Sequence, residues 1–152
     1  MGYKKAGTLR LVLSSSNAIG SKTIKFLTWS SWSHVGIVCG ANDDQVIEAT
    51  YPRVRKVSLD EFLEHKTLSI FIDIPCPDVR AAIKAAEDQI GKRYDICGLF
   101  AFFGFQRRLW YQDNRWFCSE LAAYALLKGG TELFRPNTLN RVVPQLFWIL
   151  NF

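Results

Sequence analysis

The sequence predicts an α+β domain with a central antiparallel sheet packed against helices. Three observations predict this class: strand patterns fill most of residues 8–74, helical patterns dominate after residue 77, and no repeat, low-complexity tract or linker separates the two blocks. At 152 residues, the chain is long enough to bury about two thirds of its unfolded surface. We therefore expect residues 1–152 to form a single domain.

The first half of the chain contains five predicted strands. Apolar, β-branched or alternating runs mark them at residues 8–13, 34–39, 45–50, 54–57 and 67–74. A turn cluster at residues 40–43 joins the second and third strands into a hairpin. Two helices interrupt the strands. One covers residues 21–30, and the other is capped by Ser58, with Glu61 three residues on, and runs to about residue 65.

Helices dominate the second half. Pro77 and Asp78 open an amphipathic helix over residues 79–90, which Gly91 ends. An apolar, helix-like run follows at residues 96–105, and residues 106–115 read as a surface loop of basic and aromatic residues. The clearest helix starts at Cys118 and ends at Gly129-Gly130. The apolar tail, residues 142–152, is expected to dock in the core.

The charge balance is a weak argument for a nucleic-acid partner. A net charge of +5 and a pI near 9.1 favour acidic partners. The basic residues, however, lie in short scattered groups, and no recognition helix or nucleic-acid motif accompanies them. We expect no specific nucleic-acid partner, whereas peripheral contact with a membrane or another anionic surface stays open.

The spacing of the cysteines indicates whether the chain binds a metal, and the length of its apolar runs indicates whether it is secreted or spans a membrane. Cys39, Cys76, Cys97 and Cys118 show no C-x-x-C spacing and no nearby histidines at zinc-ligand spacing, so we expect neither a metal nor another cofactor. The first residues lack the apolar run of a signal peptide, and the longest apolar stretch, residues 96–105, is about half the length that spans a bilayer. We expect a reduced, cytoplasmic chain without a transmembrane helix.

Cys118 is the candidate nucleophile. A cysteine becomes a useful nucleophile where its environment favours the thiolate, and a helix N-terminus and a neighbouring imidazole are two such environments. Cys118 starts the clearest helix, whose free N–H groups would favour a thiolate and could form an oxyanion hole. The alternative is that Cys118 is a small buried helix residue.

Only two histidines are available as its base. His65 ends an exposed helical segment, where a cation is favourable, and is given no catalytic role. His34 lies between Ser33 and an apolar strand, where a titratable ring has no packing purpose. We predict that His34 is the base; the alternative is a histidine at the edge of the sheet with its hydrogen bonds satisfied.

Glu48 is the candidate third member of a triad. A three-residue turn at residues 40–42 would place His34 directly opposite Glu48, with Gly36 opposite Val46 and Val38 opposite Asp44. Glu48 would then hold the imidazole by its second nitrogen. A shift of one residue would put the two side chains on opposite faces. The alternative is that Glu48 faces solvent.

Four segments resemble the circularly permuted NlpC-like, papain-like hydrolases, including YiiX-like bacterial proteins. They are Ser33-His34-Val35-Gly36-Ile37-Val38, Val46-Ile47-Glu48-Ala49, Gly91-Lys92-Arg93-Tyr94-Asp95 and Phe117-Cys118-Ser119-Glu120-Leu121. In unpermuted members the tyrosine and cysteine segments precede the histidine strand, and here they follow it. The resemblance spans nearly the whole chain and implies a permuted papain-like fold.

The resemblance also implies roles for particular residues. Cys118 corresponds to the nucleophile, His34 to the base, Glu48 to the polar third member and Tyr94 to a tyrosine that lines the site. Ser33 and Ser119, which flank the histidine and the cysteine, are expected to be substrate-binding or oxyanion-adjacent. The sequence departs from unpermuted members at Phe117, where they carry Asp, and in a longer segment between Tyr94 and Cys118.

The substrate class stays open. The expected activity is cleavage of a peptide or amide bond, in a peptidoglycan-type or other small peptide, or of an acyl ester or amide, through an acyl-enzyme. The permuted group also resembles lecithin retinol acyltransferase-like proteins, which favours an acyl-lipid hydrolase or acyltransferase. A set of aromatic and basic residues would form either an apolar groove with a cationic rim or a packed surface loop: Trp29, Trp32, Arg107, Arg108, Trp110 and Trp116. A third alternative is a catalytically idle lipid- or partner-binding module of the same fold.

Overall fold

A computed structural model describes residues 7–16, 31–95 and 115–150. Seven strands lie in these ranges: β1 Thr8–Ser15, β2 His34–Cys39, β3 Gln45–Ala49, β4 Val54–Ser58, β5 Leu68–Pro75, β6 Arg93–Tyr94 and β7 Arg115–Trp116. The helices are α1 Leu59–Leu63, α2 Val79–Glu87, α3 Cys118–Lys128 and α4 Pro144–Ile149, with a 3₁₀ helix at Pro136–Arg141. The helix predicted at residues 21–30, the apolar run at 96–105, and most of the loop at 106–115 lie outside the described residues.

The sheet is five-stranded and antiparallel, in the order β4-β3-β2-β1-β5. It confirms the α+β class and the five strands predicted for the first half. β1 extends two residues beyond its predicted end, because Ser14 and Ser15 pair with Ser69 and Leu68 of β5 rather than turning away. The short parallel pair of β6 and β7 was not predicted.

The hairpin of β2 and β3 forms with a register that differs from the predicted one. Ile37 pairs with Ile47 and Val38 with Val46, so the predicted partners, Gly36 with Val46 and His34 with Glu48, are wrong by two residues. The turn is longer than predicted because Gly40, at φ +92°, and Asp43, at φ 54°, both adopt left-handed conformations. A shift of two residues keeps every side chain on its predicted face.

Local capping signals set the helix starts as predicted. The Ser58 hydroxyl accepts from the Glu61 N–H at 3.1 Å, and the Asp78 carboxylate accepts from the Ala81 N–H at 2.9 Å. α2 ends at Glu87, three residues before the predicted end, and the chain then turns through Gly91 at φ +90°. α3 has the predicted bounds.

Two apolar clusters lie on opposite faces of the sheet. Alternate residues of β1 and β2 enter the larger cluster, where Leu11 and Ile37 pack with Leu121 and Leu126 of α3 and with Phe147 of α4. The intervening residues enter the smaller cluster, made of Val12, Val38, Val46 and Phe62 of α1. The apolar tail thus docks in the core through Phe147. None of the helices in the described ranges is both long and apolar enough to cross a membrane.

Candidate active site

Cys118 is the first residue of α3 and is almost fully buried. Phe117 precedes it in an extended conformation, and the first helical hydrogen bond runs from the Leu121 N–H to the Phe117 carbonyl at 3.0 Å. The N–H groups of residues 118–120 therefore start the helix without intrahelical acceptors. This end of α3 provides a partial positive charge and free donors beside the sulfur.

His34 interacts with both other members of the predicted triad. Its Nε2 lies 2.5 Å from Oε2 of Glu48, and the ring also interacts with the side chain of Cys118. Because Nε2 faces Glu48, Nδ1 is the nitrogen left for the sulfur. Burial lowers the pKa of His34, but the hydrogen bonds and charges of Cys118 and Glu48 outweigh it and raise the pKa to about 9.

The ring of His34 lies where the two apolar clusters meet. It stacks on Phe62 of the smaller cluster, with ring centroids 5.6 Å apart and planes 22° apart. Cys118, with which the ring also interacts, belongs to the larger cluster. The imidazole is therefore held from two sides, with only 14% of its side chain exposed.

Glu48 is buried and ionised. Burial raises the pKa of its carboxyl group, but hydrogen bonds and charges from His34 and Arg55 reverse this and lower the pKa to about 2. One oxygen, Oε2, faces His34, and the other, Oε1, accepts from Arg55 Nε at 2.9 Å and Nη2 at 2.7 Å. At neutral pH the site thus holds a fixed carboxylate behind the imidazole.

Tyr94 lies beside this cluster. β6 pairs it with Trp116, two residues before the nucleophile, and its ring packs on Phe117 with centroids 5.8 Å apart. Burial raises the pKa of its hydroxyl, and the electrostatic influence of Cys118 adds to that rise. Tyr94 therefore stays a neutral hydrogen-bonding group close to the sulfur.

The comparisons with known proteins identify the family of this chain. A family model described as "Permuted papain-like amidase enzyme, YaeF/YiiX, C92 family" matches residues 10–146, which is most of the chain. This chain belongs to that family. Membership makes the protein a cysteine hydrolase with a permuted papain-like fold, as the sequence predicted.

A solved structure supports the same fold. The crystal structure of metalloprotein yiiX from Escherichia coli O157:H7 matches with a TM-score of 0.62 at 22% identity, covering 84% of this chain and 69% of that one. Among the curated proteins, no match was found. In the described ranges of this family member, no three side chains of His, Cys, Asp or Glu come together as metal ligands would.

The hydroxyl groups of the two predicted flanking serines point to backbone carbonyls. Ser119 donates to the Val142 carbonyl at 2.5 Å and is fully buried, so its side chain ties α3 to the C-terminal segment. Ser33 donates to the Ser14 carbonyl at 3.4 Å and is also buried. An oxyanion-adjacent role for Ser119 would use its backbone N–H at the start of α3.

The other candidates from the sequence fall outside the cluster. Trp32 is buried and packs against Trp148 with ring centroids 5.8 Å apart. Trp116 is half-buried, packs on Tyr124, and donates its indole N–H to Gln89 at 3.2 Å. Neither forms the predicted open groove, and Trp29, Arg107, Arg108 and Trp110 lie outside the described residues. His65 is 90% exposed beside Glu64.

Three polar residues near the site were missed from the sequence. Arg55 binds Glu48. The half-buried Lys66 places its ammonium 5.0 Å from the centre of the Phe62 ring and interacts electrostatically with Glu48 and Cys118. Glu120 accepts from the Phe117 N–H at 3.4 Å, and burial raises its pKa to about 7. Only Glu120 left a local signal, an acidic residue three positions after the helix N-cap.

Proposed function

We propose that this protein cleaves amide bonds in small peptide-type substrates through a Cys118-His34-Glu48 triad and an acyl-enzyme. The observation that carries the proposal is that one largely buried imidazole binds the Glu48 carboxylate and also interacts with the Cys118 side chain at the start of α3. The match to a family described as amidases supports it. No nucleic acid takes part in the proposal, and it keeps the cytoplasmic location expected from the sequence, where a reduced thiol persists.

The protonation of His34 favours amide substrates. Since its pKa is raised to about 9, the ring carries a proton at neutral pH and is the counter-ion that a reacting cysteine thiolate needs. The sulfur attacks the carbonyl carbon, and the free N–H groups at the start of α3 stabilise the resulting oxyanion. His34 then gives its proton to the departing nitrogen as the C–N bond breaks. An amine needs this proton, whereas an alkoxide leaves more readily without it.

Deacylation reverses the role of the ring. His34, now neutral, takes a proton from a water molecule, and the water oxygen attacks the thioester carbonyl. The C–S bond breaks, the carboxylic acid leaves, and the imidazolium-thiolate pair forms again. Glu48 remains ionised throughout and orients the ring without taking its proton.

A thiol-labelling experiment tests the first step. Iodoacetamide at pH 7, followed by peptide mass mapping, should modify Cys118 first, because burial raises the thiol pKa of both Cys39 and Cys76. His34→Ala should slow labelling of Cys118, and His65→Ala is the matched control. Equal labelling of Cys118, Cys39 and Cys76 would contradict the assignment of Cys118 as the nucleophile.

A substrate panel tests the bond type. Peptide anilides and acyl-phospholipid vesicles are each incubated with the protein. Acid then traps the acyl-enzyme, and its mass is measured by mass spectrometry. We expect a Cys118 thioester with peptide anilides and none with Cys118→Ser. Acylation by phospholipid alone would favour the acyl-lipid alternative instead. Binding to vesicles without turnover of either probe would favour the idle module.

A further inference from the structure

Arg55 occupies the position across the sheet from Glu48. The two residues are direct partners in the β3–β4 ladder, so their side chains share one face. Nε and Nη2 of Arg55 lie 2.9 Å and 2.7 Å from the same oxygen, Oε1 of Glu48. The third guanidinium nitrogen, Nη1, donates to Glu61 of α1 at 2.9 Å.

The two oxygens of Glu48 have different partners. Two donors of one rigid, planar guanidinium group hold this oxygen, Oε1, in place. With Oε1 held by Arg55, Oε2 faces Nε2 of His34 at 2.5 Å. The opposite ring nitrogen, Nδ1, is then the one left for the Cys118 side chain, with which the ring interacts. Arg55 thus stands at the outer end of a chain of contacts that leads through Glu48 and His34 to the nucleophile.

We propose that Arg55 is a positioning residue that holds Oε1 of the Glu48 carboxylate, keeps the group ionised, and through it aligns His34 with Cys118. The inference rests on the proposed function. A guanidinium stays charged at every pH at which the protein folds, so it is a constant counter-ion for a buried carboxylate. Within the described ranges, the other charged groups that interact with Glu48 are the His34 ring on β2 and Lys66 after α1.

The alternative, a purely structural ion pair, is less well supported. The Arg55 side chain is 46% exposed and its Glu61 partner 49%, and ion pairs in such settings contribute little to folding. Glu48, by contrast, is 3% exposed and has no solvent to replace a lost partner. Removing Arg55 should therefore affect the state of Glu48 more than it affects the stability of the sheet.

The experiment compares variants on strand β4 in the full chain. Labelling of Cys118 by iodoacetamide is followed from pH 4 to pH 8 for the parent, Arg55→Ala, Arg55→Lys and Lys56→Ala. Lys56→Ala is the matched control, because it removes one positive charge from the next residue, whose ammonium pairs with Glu87 of α2 instead. Thermal unfolding of each variant shows that it is folded.

Arg55→Ala should slow labelling at pH 7 by about ten-fold or more, because a misplaced catalytic group loses rate steeply. The acid limb of its pH profile should also move to higher pH, since Glu48 then protonates more readily. Arg55→Lys restores the positive charge, so the acid limb of its pH profile should move back towards that of the parent. Its labelling rate at pH 7 should recover only in part, because a lysine ammonium lacks the two-nitrogen geometry of the guanidinium. Lys56→Ala should match the parent.

Two results would overturn the proposal. One is a parent-like rate and acid limb in Arg55→Ala; the other is an equal loss in Lys56→Ala, which would mark a general weakening of β4. A failure of the proposed function gives a different result. In that case Cys118 of the parent would be labelled no faster than Cys39 and Cys76, and its labelling rate would not change in His34→Ala.

Discussion

Glu48 reaches His34 diagonally across the β2–β3 hairpin, with Oε2 2.5 Å from Nε2. Its direct ladder partner on β4 is Arg55, and the β2–β3 register, continued by one step, sets Glu48 opposite Gly36. One buried carboxylate thus links three adjacent strands. The ring of His34 thus contacts a carboxylate that is itself bound by Arg55 on the edge strand of the sheet.

Replacing the Glu48 carboxylate by an amide tests how its negative charge affects the pKa of His34. Glu48→Gln keeps a hydrogen-bond acceptor of the same shape, but the ring loses an ionic partner, so the pKa of His34 should fall from about 9 towards its ordinary value near 6.5. NMR titration of the histidine ring carbons measures it, with His65→Ala to assign the two signals. Glu61→Gln, beyond Arg55, is the control. A His34 pKa that stays near 9 in Glu48→Gln would show that Cys118 alone raises it.

Stability should depend on pH through the same two groups. His34 has a raised pKa in the folded protein, so its contribution is complete below pH 6.5 and is lost as the pH rises through 9. Glu48 has a lowered pKa, so its contribution is complete above pH 4.5 and is lost as the pH falls through 2. Between pH 6.5 and 9, the His34 share of the free energy of unfolding should decline by at most about 3 kcal/mol.

Urea unfolding from pH 6 to pH 9 checks this for the parent and for His34→Gln. Burial also raises the thiol pKa of Cys39 and Cys76, so only the difference between the two proteins reports on the ring. We expect that difference to shrink as the pH rises. A difference that is constant over the range would contradict the assignment of a raised pKa to His34.

The sequence predicted the parts of the site that have local signals. Cys118 was recognised from a helix start and His34 from a strand start, because each pattern involves only neighbouring residues. Glu48 was placed on the correct face although the register was wrong by two, since side chains alternate with a period of two. The turn itself could not be predicted, because a left-handed Asp43 leaves no distinct pattern in the sequence.

Arg55 and Lys66 could not be identified in the same way. Arg55 read as one of a short group of exposed basic residues, and its role depends on which strand β4 pairs with. Lys66 lies near Cys118 only because α1 packs over the sheet and leads into β5. The parallel pair of β6 and β7 joins residues 22 positions apart through two-residue strands, which are too short to show any periodicity.

Gly36 leaves the space in which Phe62 supports the ring of His34. A β-carbon at Gly36 would clash with Cγ1 of Val46 and lie 3.0 Å from the Phe62 ring. Gly36→Ala should therefore reduce the free energy of unfolding by about 1–3 kcal/mol, as overpacking of a core does. Urea unfolding measures the loss. Val46→Ala removes the nearest atom, so Gly36→Ala should cost less in a Val46→Ala background than in the parent; an equal cost in both backgrounds would show that the clash is not the cause.

Lys66 should favour anionic reagents at the nucleophile. Its ammonium interacts electrostatically with Cys118, and no carboxylate in the described ranges lies within ion-pair distance of it. Iodoacetate and iodoacetamide react with the same sulfur but differ by one negative charge. The rate with iodoacetate divided by the rate with iodoacetamide therefore does not depend on how much of the sulfur is thiolate. In Lys66→Met, that ratio should fall by about two- to five-fold, the effect of one unit charge at partly screened range.

Lys84→Met is the control for this measurement, because it removes the same charge from a lysine that pairs with Asp88 on its own helix α2. Added salt screens the Lys66 ammonium, so the ratio of the iodoacetate rate to the iodoacetamide rate should fall in the parent and in Lys84→Met. In Lys66→Met it should stay almost unchanged. An unchanged ratio in Lys66→Met at low salt would show that Lys66 exerts no field at the sulfur.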